Sequence, residues 1–275
     1  DGAVLDIRGG RHPTVDAVHA ETTVDGAASE DDADADAEYG QGYEDVGPTG
    51  DFVANDCVLG ATAGAPTAYL ITGPNMSGKS VYLRTAALLA IMAQAGLFVP
   101  AVSLTLSPLA SVHARVGAAD DVTRAASTFF VEMAETATLL RTSTSHSLVL
   151  LDEVGRGTAA ADGAALARAI LERLVAPGGP LTLFATHYRH LGFIELDGCR
   201  SYHLQVLPPP TVDVSADDMP LSLAHSLLYT HRLVPGVAPA SAGLAVASLA
   251  GVEDNVVARA RELLAEEEKV IPPVL

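Results

Sequence analysis

Apolar residues along this chain fall into short unbroken runs separated by longer stretches of helical spacing. Ala68–Thr72, Ser147–Leu151 and Leu181–Thr186 are almost wholly apolar or β-branched. Runs this short and continuous predict buried strands of the parallel type. Val4–Arg8, Phe52–Asn55, Ser103–Leu106 and Val112–Val116 read as further strands. Between them, Val81–Ala95 is rich in Ala and Leu and predicts a helix closed by Gly96. Helices are also expected from about Phe130 to Arg141 and from Asp162 to Val175. Strands alternating with helices predict an α/β fold, an open sheet flanked by helices.

Past residue 187 the pattern changes. Tyr202–Leu207 and Leu223–Val234 read as two strands joined by a polar, proline-rich loop, Pro208–Pro220. Two helices close the chain, Ala242–Ala250 and Asp254–Glu268. Gly251 breaks them, and Glu253-Asp254 sit where acids favour a helix N-terminus. This pair is too small for a core of its own and is expected to pack on the domain or on a partner. No internal repeat is visible.

At 275 residues the chain can bury a substantial core. Its 34 acids outweigh 16 Lys and Arg, for a net charge of −18, and only Lys79 and Lys269 are lysines. An acidic, lysine-poor surface suits concentrated salt, where self-repulsion is screened. Glu21 to Asp45 holds ten acids and no Lys or Arg, which reads as a disordered or salt-adapted surface insertion spanning about 21–50. This balance argues against nucleic-acid binding by the segment alone, since such binding needs a basic footprint. Cys57 and Cys199 are too few for a disulfide framework, so a reducing cytoplasm is expected. No signal peptide is legible. The longest apolar run, Ala86–Val102, is interrupted by Gln94, Gly96 and Pro100, and reads as a buried helix rather than a membrane span. The chain begins at Asp1 rather than Met, which suggests a piece of a longer polypeptide.

The candidate chemistry lies between the strands. Gly73-Pro-Asn-Met-Ser-Gly-Lys-Ser80 satisfies G-x-x-x-x-G-K-[ST], the phosphate-cradling loop. It follows a strand and opens a helix, so backbone N–H groups and a helix N-terminus face one anion. Lys79 is placed to reach the β- and γ-phosphates of ATP, and the Ser80 hydroxyl to ligate Mg²⁺. Leu148–Glu153 is an apolar strand ending in two acids. Asp152 is positioned for the Mg²⁺ sphere and Glu153 to polarise an attacking water. His187, at the end of the next apolar strand, is placed to sense the γ-phosphate.

Several longer motifs go beyond the generic loop. They are Thr72-Gly-Pro-Asn-Met-Ser-Gly-Lys-Ser80, Arg115-Val-Gly-Ala-Ala-Asp-Asp121 and Ser127-Thr-Phe-Phe-Val-Glu-Met133. Asp152-Glu-Val-Gly-Arg-Gly-Thr158, Phe184-Ala-Thr-His-Tyr188 and Gly243-Leu-Ala-Val-Ala follow in order. With Arg11-His-Pro13 and Phe52-Val-Ala-Asn55, these closely resemble the C-terminal ATPase domain of MutS-family DNA mismatch-repair proteins, which are ABC-type ATPases.

The resemblance implies a P-loop NTPase fold over about 1–240 and a helix-turn-helix dimerisation element over 241–275. It implies a nucleotide site of Gly73, Pro74, Asn75, Met76, Ser77, Gly78, Lys79, Ser80 and Val81, with Phe52 and His231 flanking the adenine. Ser127-Thr128 correspond to the signature segment, which reaches the γ-phosphate bound by the opposite subunit. A homodimer through the ATPase face and the terminal helices is therefore implied. So are contact with mismatched DNA through domains absent from this chain, and a MutL-type partner. The alternatives are a MutS-like paralogue acting on recombination or branched DNA, and a nucleotide-binding dimerisation module without turnover. The chain departs from the family pattern at Val81, Ala125-Ala126 and Ala242, where Thr, a glycine with a polar residue, and Tyr are usual.

Overall fold

The computed structural model describes residues 2–16, 52–60, 64–116, 128–207, 229–238 and 242–270. Two sheets carry the fold. The larger has six strands in the order β5 (Ser111–Arg115), β6 (Ser147–Asp152), β7 (Leu181–Thr186), β3 (Ala68–Thr72), β8 (Cys199–Val206) and β9 (Tyr229–Pro235). The first five are parallel and β9 is antiparallel to β8. Helix α1 (Lys79–Gln94) follows β3, α2 (Thr128–Thr142) precedes β6, and α3 (Ala160–Val175) joins β6 to β7.

Every residue of β3, β6 and β7 is buried, because both faces of the sheet are covered. Successive side chains of one strand enter different cores. Tyr69, Ile71, Leu148, Leu150 and Leu183 pack with Leu83, Ala86 and Leu89 of α1. Leu70, Val149, Leu151 and Phe184 pack on the other face with Leu139 of α2 and Ala167, Leu171 and Leu174 of α3. The expected continuous apolar runs are thus explained by parallel pairing between helical layers.

The second sheet departs from the expectation of one open sheet. β1 (Leu5–Gly10), β2 (Asn55–Leu59) and β4 (Ser103–Leu106) pair antiparallel in the order β2-β1-β4. Leu5, Ile7 and Leu59 close the α1 side of the core. The strand expected at Phe52–Asn55 begins instead at Asn55, where Gly10 becomes its partner across a register shift. β1 runs two residues past Arg8, because Gly9 takes φ 58 and lets the strand bend.

The chain ends in α4 (Ala242–Leu249) and α5 (Asp254–Val270), which pack on each other. Gly251, at φ 82, makes the turn between them, and its N–H donates to the Ser248 carbonyl at 3.1 Å. The acidic stretch at 21–50, residues 117–121 of the Arg115 motif, Ser127, the 208–220 loop and the start of the strand expected from 223 lie outside the described residues.

Candidate functional site

Because β6, β7 and β3 are adjacent and parallel, the segments that leave them emerge at one edge of the sheet. These are Glu153 after β6, His187 after β7, and the 73–80 loop after β3. In that loop Asn75, Met76 and Ser77 form a 3-10 turn, and Gly78 at φ 100 turns the chain into α1. A side chain at Gly78 would also meet the His231 ring at 3.1 Å, so both conformation and space select glycine. The first turn of α1 has no side-chain cap and no acid. Its free N–H groups and positive dipole end form an anion site.

Lys79 is 1% exposed. Its Nζ donates to the Gly73 carbonyl at 2.6 Å and the Pro74 carbonyl at 2.9 Å, and lies 3.5 Å from Glu153 Oε1. The lysine is therefore folded under the loop, braced against the carbonyls of the segment that would cradle a phosphate. Burial pulls its pKa below the ordinary lysine value, and the carboxylates of Glu153 and Asp152 oppose that shift.

The Ser80 hydroxyl donates to Asp152 Oδ2. The other oxygen, Oδ1, is buried and has no hydrogen-bond partner among the described residues. Burial raises the Asp152 pKa, while the Ser80 hydrogen bond works against the rise. A buried carboxylate oxygen left without a donor is costly. A hard cation would satisfy it, and a hydroxyl beside a carboxylate is an oxygen donor pair that fits Mg²⁺.

Glu153 holds φ 54, in the left-handed region that non-glycine residues seldom occupy. Its N–H donates to Ala185 O at 2.9 Å, so pairing with β7 persists for one residue and the chain then turns sharply. Its carboxylate lies between Lys79 and Arg156, whose guanidinium donates to Oε2 at 2.9 Å. His187 follows, its ring 4.0 Å from that of Tyr188 between centroids. Burial lowers the His187 pKa; Glu153 opposes this, and Arg156 and Lys79 add to it.

On the opposite flank, His231 of β9 also takes φ 54, and its Nδ1 donates to Ser77 O at 2.9 Å. Asn55 fixes that position. Its Nδ2 donates to His231 O at 2.9 Å and its Oδ1 accepts from Leu233 N–H at 2.7 Å. The first residue of β2 in the small sheet thus holds the edge strand of the large one. Phe52 is half-buried three residues earlier, with the Arg11 guanidinium 5.6 Å from its ring centroid. Met76 is exposed, and Val81 is half-buried with its carbonyl accepting from the Thr85 hydroxyl at 2.7 Å.

Gly73, Pro74, Ser77, Gly78, Lys79, Ser80, Asp152, Glu153 and His231 are therefore joined by direct contacts. Met76 and Val81 adjoin them in the chain, Phe52 stands against Arg11 instead, and Ser127 lies outside the described residues, one position before α2. Sequence reading assigned no role to Asn55 or Arg156. Both stand inside motifs quoted above, but the contacts that give Asn55 its role span more than a hundred residues.

A glycine-rich loop between a buried strand and a helix, a buried lysine beneath it, and an adjacent strand ending in two acids define a phosphate-binding P-loop protein. MutS domain V matches residues 69–268, and the chain belongs to this family. It is 41% identical over 268 residues to the DNA mismatch repair protein MutS of Rhodopirellula baltica, covering 98% of this chain and 25% of that protein. It is 42% identical to DNA mismatch repair protein MutS 2 of Haloarcula marismortui, covering 96% and 25%. It is 41% identical to the DNA mismatch repair protein MutS of Treponema pallidum strain Nichols, covering 96% and 25%. The chain thus spans about a quarter of the length of these relatives. Among the described residues no helix is long and apolar enough to cross a membrane.

Proposed function

We propose that this chain binds ATP with Mg²⁺ and hydrolyses it, as the nucleotide-switching domain of a DNA mismatch repair MutS protein. The observation that carries the reading is the convergence of Lys79, Ser80, Asp152 and Glu153 on one edge, with Asp152 Oδ1 left unpartnered. Backbone N–H groups of the 73–80 loop and the α1 N-terminus bind the phosphates, and Lys79 neutralises their charge. Ser80 and Asp152 would hold the Mg²⁺, which would offset the phosphates' negative charge. Glu153 orients the attacking water and accepts its proton at a carboxylate oxygen. His187, its pKa lowered by burial, donates a ring N–H to the γ-phosphate. Phe52 and His231 flank the base.

Residues 1–240 form the ATPase unit on this reading, and 241–275 a helix-turn-helix that serves dimerisation. Two chains complete each other's site when Ser127 of one approaches the γ-phosphate held by the other. Mismatched DNA and a MutL-type protein are engaged by the assembled polypeptide, the DNA through domains outside this chain. The family match and the site's oxygen donors support this assignment.

The test is phosphate release from ATP by the purified chain, with and without Mg²⁺, alongside equilibrium ATP binding. Release that depends on Mg²⁺ is expected. Tight binding with no release would favour a dimerisation module without turnover.

A further inference from the structure

The turn that carries Glu153 is held from outside by a buried acid with no part in the phosphate site. Glu132, in the second turn of α2, is 6% exposed. Its Oε1 accepts from the Gly155 N–H at 2.7 Å, a charge-assisted bond to the backbone two residues after Glu153. Its Oε2 lies 3.8 Å from the Arg115 guanidinium at the end of β5, and Arg115 also pairs with Glu135 at 3.3 Å. Tyr188, next to His187, donates its hydroxyl to the Gly155 carbonyl at 2.8 Å. Both polar groups of Gly155 are thereby fixed by side chains from two different elements.

Space is equally restricted. Gly155 takes φ 88, and a Cβ there would lie 2.5 Å from the Gly163 carbonyl of α3. Two residues on, a Cβ at Gly157 would lie 3.1 Å from Phe129 in the first turn of α2. Helix α2 therefore touches the Glu153 turn twice, by packing at Phe129 and by the Glu132 carboxylate. A buried charge needs compensation to be tolerated, and here the backbone of the catalytic turn supplies the hydrogen bond while Arg115 supplies the opposite charge.

We propose that Glu132 is a positioning residue for ATP hydrolysis: it fixes the turn that aims Glu153 and so ties the catalytic carboxylate to the position of α2. The proposal rests on the ATPase reading above. Because α2 begins immediately after Ser127, any displacement of that helix on pairing with a second chain reaches Glu153 through this bond. Glu132 contacts the Gly155 N–H and Arg115 rather than the 73–80 loop, so its removal should leave ATP binding in place and slow the chemical step.

The experiment measures single-turnover hydrolysis and equilibrium ATP binding in the 275-residue chain. Glu132→Ala is expected to lower the rate on the order of 100-fold, the scale of a misplacement near 1 Å, with ATP affinity held within a few-fold. Glu132→Gln keeps an acceptor for the Gly155 N–H and should restore most of the lost rate. Tyr188→Phe, which preserves volume if Glu132→Ala does not fold, should cost about 10-fold by removing one hydrogen bond. The proposal is overturned by an unchanged rate in Glu132→Ala, by parallel loss of binding and rate, or by a Gln variant no faster than Ala. A wild-type chain that binds ATP and releases no phosphate overturns the ATPase reading instead, and is told apart because the unsubstituted chain fails.

Discussion

In the six-stranded sheet, β3, β6 and β7 are buried at every residue, whereas in the three-stranded sheet β1 and β2 mix buried positions with half-buried and exposed ones and β4 has only half-buried and exposed ones. The first group is parallel, so its carboxyl ends share an edge, and the phosphate loop, Asp152-Glu153 and His187 all lie there. The second group is antiparallel, so its ends alternate and no such edge arises. Its role is support: it closes the core over α1 and, through Asn55, holds His231 against the loop. Damage to the first sheet should therefore remove chemistry or the fold, and damage to the second should loosen affinity or stability while leaving the chemical step intact.

The sharpest break is at Lys79. Lys79→Ala removes the cation beneath the loop, and hydrolysis should fall by roughly 100- to 1,000-fold together with ATP affinity. Phosphate release and nucleotide binding measure both, and unchanged turnover would sink the phosphate-loop assignment. Next comes a matched pair of leucines. Leu150→Ala empties a fully buried site in the core between the six-stranded sheet and α1 and should cost about 2–5 kcal/mol, whereas Leu104→Ala in the small sheet, partly buried, should fall below that range. Urea unfolding of the two variants compares them directly, and equal losses would erase the distinction between the sheets.

A smaller effect is expected at the junction. Asn55→Ala leaves the His231 carbonyl and the Leu233 N–H without their side-chain partner and should cost about 1–3 kcal/mol. ATP affinity should weaken as His231 shifts, while turnover at saturating ATP persists. If the rate falls instead, Asn55 acts on chemistry rather than on the nucleotide flank. The mildest change is in salt. With a net charge of −18, repulsion is screened over about 10 Å at ~0.1 M and about 3 Å at ~1 M. Thermal unfolding should therefore move to higher temperature across that range. A flat or falling trend would remove the salt-adapted reading and leave the nucleotide site untouched.

The same contrast explains what could be read in the sequence. Ala68–Thr72, Ser147–Leu151 and Leu181–Thr186 were legible because strands buried on both faces admit little but apolar residues, and the residues that follow them carry recognisable chemistry. The small sheet was not legible as a sheet. Its strands are scattered over a hundred residues, and Leu5–Gly10 meets partners at 55–59 and 103–106. No local period announces such pairings. Asn55 and Glu132 were missed for a related reason. A polar residue whose partner lies 23 or 178 positions away looks, in sequence, like any surface residue. Lys79 was read as a phosphate ligand, and the structure adds that the loop's own carbonyls hold it in place beforehand.

The central claim, that this edge hydrolyses ATP with Glu153 as the water-orienting base, is tested most directly by Glu153→Gln. The amide keeps the side chain's size and much of its hydrogen bonding but cannot take a proton from water. ATP binding with Mg²⁺ should persist near the wild-type level, hydrolysis should be lost, and sedimentation with ATP should show chains held as dimers. Equal rates of phosphate release from wild type and Glu153→Gln would contradict the account.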